Sequence, residues 1–213
     1  PLVAAAGLRP PADASIRDSR VLIEPDRDRE VSVAISLHAD PKRGVLYASL
    51  PTQTGSGFSG HINASFFPKT DRKGVRFDND PESNWNRLAV QAAAQLLVNK
   101  ADVLLDVVGP MRFWALLVEV ELLRQQVSKH VVDEAFLEFA SGLARVIPSL
   151  PAIETASGDR VLPGDALLPG STDIYPHANV LEELGLHIVS RDLHPLVPRT
   201  SFSQFAVSEL KPH

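Results

Sequence analysis

The 213-residue sequence predicts a mixed α/β (α+β) protein with a strand-rich front, a helical middle and a small mixed tail. Three observations predict it. Apolar residues alternate with others between about residues 31 and 66; they recur at three- and four-residue intervals from about 84 to 145; beyond that they fall into short pieces broken by proline and glycine. The expected division is 1–100, 101–147 and 148–213.

Taken in order, residues 1–20, with Pro10 and Pro11, read as an entry segment without strong periodicity. Val31, Val33, Ile35 and Leu37 alternate with Ser32, Ala34 and Ser36, the period of a half-buried strand. Asp40-Pro41-Lys42-Arg43-Gly44 is turn chemistry, and Val45–Leu50 returns as a second strand, so the two are expected to form a hairpin that Pro51 ends. His61–Phe66 alternates again as a third strand, closed by Pro68. From Asn84, the residues Trp85, Leu88, Ala89, Ala92, Ala93, Leu96 and Leu97 mark a helix with one apolar face, with Asp80 or Ser83 as its cap. A second helical tract is expected from about Arg112 to Lys129, after the Gly109-Pro110 break, and a third from about Asp133 to Arg145. In the tail, Ala156-Ser157-Gly158-Asp159 signals a hairpin, and Val180–Leu186 a short helix stopped by Gly185, followed by the strand His187-Ile188-Val189.

The net charge of −5 and ordinary apolar content argue against disorder and make direct nucleic-acid binding an unfavoured reading. Without cysteine there is no disulfide framework, no thiolate catalysis and no sulfur-ligated zinc, which fits a cytoplasmic setting. No apolar run approaches the roughly 18 residues that cross a bilayer, so no membrane partner is expected. The sequence starts at Pro1 without an initiator Met, and we expect it to be part of a longer protein.

Gly55, Gly57 and Gly60 have the spacing of a dinucleotide fingerprint, but that motif needs a helix to follow, and the alternation of Ile62, Ala64 and Phe66 predicts a strand. A tightly turned or flexible loop is the better account. Glu82-x-x-x-Asn86 has the Glu and Asn spacing of magnesium-holding ATPases but lacks the Asp-x-Gly-x-Gly segment that should come after it. Asp78-Asn79-Asp80-Pro81-Glu82 is dense in carboxylates but lacks the glycine and the length of an EF-hand, and the scattered histidines have no metal-ligand spacing, so no metal is assigned. Lys69-Thr70-Asp71-Arg72-Lys73-Gly74-Val75-Arg76 places four cations in eight residues between a strand and a helix. Such a loop meets a phosphate or an acidic surface, or is simply solvated.

Leu50-Pro51-Thr52, Gly57-Phe58, His61–Phe67, Asp71-Arg72-Lys73 and Trp85-Asn86-Arg87 together resemble a pattern in sacsin and its bacterial relatives, GHKL ATPases related to the ninety-kilodalton heat-shock chaperones. The likeness covers about residues 45–97 and continues more weakly through Phe113-Trp114 and Leu150–Val161. It implies a middle (transducer) domain with a ribosomal-protein-S5-domain-2-like sandwich. ATP and Mg2+ would be bound by an N-terminal ATPase domain outside this sequence, which is the implied partner. Homodimerisation of the longer chain is an option, and the client protein is open.

In such ATPases a basic residue of the middle domain meets the γ-phosphate when the domains close, because positive charge stabilises the transferred phosphoryl group. The resemblance carries this role to Arg72 and Lys73, and makes Asn63 and Lys69 candidates for cofactor binding, Asn63 being alternatively a residue that fixes the loop or a turn residue. In the chaperone branch the cation follows the strand directly; here that place is Ala64-Ser65, which carries none. ATPase activity is therefore expected of the full-length protein and none of the fragment. Two rival readings stand beside this. One is an ATP-independent interaction scaffold; the other is an enzyme with a site around His177, His187, Asp192 and His194. In the ATPase reading itself, Phe66, Phe67, Trp85, Phe113 and Trp114 line a client or partner surface or, alternatively, belong to the core.

Overall fold

The structure, a computed structural model, describes residues 2–8, 30–37, 43–199 and 208–210, the first and last of these segments through their backbone. The fold is mixed α/β with small sheets, and divides into two compact units. The first comprises Pro1–Lys100 with Leu122–Gly142, the second Ala101–Glu121 with Leu143–His213. The expected helical segment 101–147 is thus shared between them.

The first unit is built on a five-stranded sheet ordered β1-β2-β5-β3-β4, from strands β1 (Leu2–Leu8), β2 (Val31–Ser36), β3 (Val45–Ala48), β4 (Leu50–Gly55) and β5 (Gly60–Ala64). Alternation fixes which side is core: Val31, Val33, Ile35, Leu46, Ile62 and Ala64 are buried. The 19-residue helix α1 (Pro81–Asn99) packs against β1, β2 and β5, burying Trp85, Ala89, Val90, Ala93, Leu96 and Leu97. Asp80 caps it, accepting from the Ser83 N–H at 2.8 Å, and Pro81 opens the first turn, where its missing N–H costs nothing.

Three expectations are corrected. Residues 2–8 of the supposed entry segment form a strand, antiparallel to β2. The hairpin between Val31–Leu37 and Val45–Leu50 does not form: β2 pairs antiparallel with β5 (Val33↔Ile62), while β3 lies parallel to β5 (Leu46↔Ile62). Its supposed turn at Asp40-Pro41-Lys42 lies outside the described residues. Pro51 does not end the second strand but sits inside β4, opposite Tyr47, after a tight reversal at Ser49 (φ 67°). β4 is an edge strand, and an edge tolerates a residue with no N–H to give.

The helical run α2 (Ala101–Ser128) is broken at Gly109, whose backbone is not helical (φ 76°, ψ 163°), just ahead of Pro110; the expected break and the tract after it are present, while the helix before the break, from Ala101, lies outside the expected tract. A 3-10 turn, Glu134–Phe136, leads into α3 (Leu137–Val146). Within the first unit Phe139 lies 5.0 Å from Phe58 and stacks at 6.4 Å on Phe136. Two of the three glycines of the dinucleotide-like triplet have packing roles: at Gly57 (φ 84°) a Cβ would stand 2.3 Å from Leu123 Cδ2, and at Gly60 one would stand 2.1 Å from the Phe58 ring, whereas one at Gly55 would meet nothing closer than 3.8 Å. β5, not a helix, follows them.

In the second unit, β6 (Ile153–Glu154) and β7 (Arg160–Val161) form the expected hairpin, while β8 (Ala166–Pro169) lies in a parallel sheet between β9 (His187–Ile188) and β10 (Ser208–Leu210). The short helix α4 (Ala178–Glu183) precedes β9. Trp114 is fully buried and donates from Nε1 to the Ala152 carbonyl at 2.7 Å. Phe66, Trp85, Phe113 and Trp114 are all core residues and Phe67 is half-buried, so the partner surface proposed for them is not what they form.

Candidate functional site

The basic loop leaves β5 after Ala64 and ends at the Asp80 cap of α1. Backbone bonds make it compact. Pro68 bridges to Val75, the Lys69 N–H reaches the Gly74 carbonyl at 2.7 Å, and the Arg72 N–H reaches the Lys69 carbonyl at 2.8 Å. Asp71 accepts the Lys73 N–H at 3.0 Å, an Asx turn that brings the two cations to the tip. Arg72 holds a left-handed backbone (φ 57°), which side-chain-bearing residues take at a steric cost.

Three consecutive residues of α1 hold the loop's two stems. Trp85 donates from Nε1 to the Ser65 carbonyl at 3.0 Å. Asn86, fully buried, accepts the Phe67 N–H at 2.7 Å and donates to the carbonyls of Phe67 and Arg76, each at 2.9 Å. Arg87 donates to the carbonyls of Phe77 at 2.9 Å and Asp78 at 3.0 Å, and pairs with Asp133 at 3.0 Å. Asp133 in turn accepts the Ala135 N–H, capping the 3-10 turn that leads to α3. The clamp escaped the sequence reading, although a signal existed. Asn86 falls on the same helical face as Ala89, Val90, Ala93 and Leu97, and a polar side chain on an apolar face must be satisfied by something the helix covers.

The loop's cations have different states. Arg76 is held by Asp80 and Glu82, both at 2.6 Å, and by Asp78 at 3.5 Å, so the Glu82 and Asp80 of the two metal-like patterns are spent on it. Asp80 is held below the ordinary carboxylate range, first by the Ser83 N–H and further by the Ser83 hydroxyl and Arg76, against the opposing effect of its burial. Lys69, Arg72 and Lys73 are exposed, with no side-chain partner among the described residues.

The four sequence-derived candidates do not converge. Arg72 and Lys73 share the tip. Asn63 is exposed on the face of β5 opposite α1, in register with Ser32 and Tyr47, and lines a hollow of about 220 Å³ with Glu30, Ser32 and Ser49. Lys69 instead lines a groove of about 670 Å³, which Arg72 and Lys73 do not line. Among the described residues the Asn63 side chain makes no hydrogen bond to the loop, a role that falls to Asn86.

In the second unit His194 Nε2 lies 2.8 Å from the Pro169 carbonyl and its ring meets Tyr175 edge-on at 6.2 Å. Burial raises the Tyr175 hydroxyl above its ordinary pKa, against the pull of Arg191, and its oxygen is buried without a hydrogen-bond partner among the described residues. His177 and Asp192 are exposed and His187 is half-buried in β9. Among the described residues no group of His, Asp and Glu side chains forms a metal-binding cluster, and no helix is long and apolar enough to cross a membrane. No family model matches the sequence, and no curated protein or solved structure matches it significantly.

Proposed function

We propose that this chain is the middle (transducer) part of a sacsin-like or chaperone-like GHKL ATPase, coupling ATP binding and hydrolysis in a separate N-terminal domain to a partner or client. The reading takes the first unit as a form of the ribosomal-protein-S5-domain-2-like sandwich. Its main support is the basic loop: among the described residues Arg72 and Lys73 have no side-chain partner at the tip of a loop whose stems Trp85, Asn86 and Arg87 hold. Cations kept clear of carboxylates are available to a phosphate, and a fixed backbone spares the cost of ordering them when the phosphate arrives. The neighbouring Arg76 is not available, because three carboxylates already hold it. ATP and Mg2+ belong to the other domain, and the chain's own contribution is positive charge delivered in trans.

The test is steady-state ATP hydrolysis by the protein in which this sequence follows its ATPase domain. Arg72→Ala with Lys73→Ala should lower kcat by about a hundredfold or more while leaving ATP affinity within roughly threefold, and the 213-residue chain alone should not turn over. Unchanged kcat in the double variant, or a reading frame with no ATPase domain upstream of Pro1, would sink the proposal. It would leave an ATP-independent scaffold whose loop meets an acidic protein surface.

A further inference from the structure

The first unit's sheet contains a hydrogen bond that only one protonation state of a side chain can make. His61 of β5 is half-buried on the face away from α1, while the next residue, Ile62, points into the core. The Val45 N–H, at the start of β3, donates to His61 Nδ1 at 3.1 Å. An amide N–H can only donate, so Nδ1 bears no proton and the ring is neutral, with its hydrogen on Nε2. A second proton has no place to go but Nδ1, where it would face the amide hydrogen. The imidazolium therefore cannot keep this bond.

The bond lies where the chain enters the sheet. One residue earlier, the Gly44 N–H donates to the Phe58 carbonyl at 2.8 Å, and the Gly44 carbonyl accepts the Ser56 N–H at 3.0 Å. A Cβ at Gly44 would run into the Gly60 carbonyl, so a glycine is needed for the two segments to pass this closely. β3 itself is four residues long and lies between β5 and β4, and its register with β5 covers Leu46↔Ile62 and Tyr47↔Asn63. With so short a ladder, one contact at its start is a sizeable share of what joins the two strands.

The surroundings offer no partner to a charge on the ring. On β3, Tyr47 is the titratable side chain that faces it, edge-on with centroids 5.5 Å apart. On β2, Ala34 stands opposite, flanked by Ser32 and Ser36, and Glu30 lies two rows along. Ser59 and Asn63 flank His61 on its own chain, and on β4 Gly55 and Pro51 stand opposite Val45 and Tyr47. The charged residue nearest in sequence to Val45 is Arg43, exposed and itself a cation. Among the described residues, no carboxylate on β2, β3 or β4 is in register with the ring.

We propose that His61 is a pH-operated latch on the sheet: the neutral ring holds the start of β3, and the protonated ring releases the Val45 N–H so that the strand opens there. The contact is present at higher pH and lost as pH falls, the opposite sense to a histidine that gains a carboxylate partner. The assignment is independent of the ATPase reading.

The test is amide hydrogen exchange and 15N NMR on the folded chain between about pH 7.5 and 5, a span that covers the ordinary titration of an imidazole. At the upper end the His61 ring should show an unprotonated Nδ1 and a protonated Nε2. The protection factor of the Val45 amide should fall about five- to tenfold towards the lower end, in step with the His61 ring signals. His61→Asn places a carboxamide oxygen where Nδ1 stands and does not titrate, so Val45 protection should stay level across the range. His61→Phe keeps a ring beside Tyr47 without the acceptor, and should show the low protection at both ends. A Val45 amide equally protected at both pH values in the parent, the same pH dependence in His61→Asn, or a proton on Nδ1 at pH 7.5 would each overturn the proposal; the parent alone decides the first and third.

Discussion

Asn86 spends its whole carboxamide on the loop, one acceptor and two donors on Phe67 and Arg76, in a place shut off from water. Replacement by alanine leaves one N–H and two carbonyls without that partner, and each such group costs about 1–3 kcal/mol when buried. Asn86→Ala should therefore lower stability by roughly 2–4 kcal/mol, read as a fall in the urea midpoint at unchanged slope. A loss below about half a kcal/mol would mean that water replaces the amide, and that the stems are not held as described. The cations at the tip were legible from the sequence, because charge density between a strand and a helix is a local property. The residue that fixes them was not, because its partners lie 10 and 19 positions away and are backbone groups with no sequence signature.

At the scale of elements, the cap of α1 joins structure to pH. The Asp80 carboxyl titrates below its ordinary value because the Ser83 N–H, the Ser83 hydroxyl and Arg76 all favour its charged form. A depressed folded-state value stabilises the fold above the unfolded value of about 3.9 and is lost as pH falls through the folded one. Asp80→Asn keeps a good capping group but removes the titration. Stability of the parent should fall more steeply than that of Asp80→Asn as pH drops from about 5 to 3, and parallel curves would show that the charge contributes nothing. The cap, like the helix, could be read from the sequence, since Asp-Pro-Glu before an apolar period is a local signal. Strand pairing could not. β2 and β3 have compatible periods and an intervening turn sequence, yet β2 joins β5, because β3 turns directly into β4 through Ser49, a residue that does not announce a left-handed backbone. Alternation says which side chains face the core and leaves the neighbour undetermined.

For the whole molecule, neither compact unit is a continuous stretch of chain. The core of the first needs Leu123 against Gly57, Phe139 against Phe58, and Asp133 against Arg87, all from beyond residue 100. Residues 1–100 made alone, the span that the sequence suggests as a domain, should lack a cooperative thermal transition, and residues 1–142 should regain one; a sharp transition in the shorter piece would refute this accounting. The basic loop has one more property at this scale. Its Lys73 carbonyl accepts the Gln53 N–H at 2.6 Å, and its Val75 N–H donates to the Thr54 hydroxyl oxygen at 2.8 Å, so the loop lies along the outer edge of β4. An uncovered edge invites pairing with another chain. A loop that guards a seam in this way is moored: its cations can extend by the length of their side chains, while the backbone that bears them stays in place. On the proposed ATPase reading, the phosphate must therefore come to the loop, and the travel in any closing motion belongs to the domain that binds it.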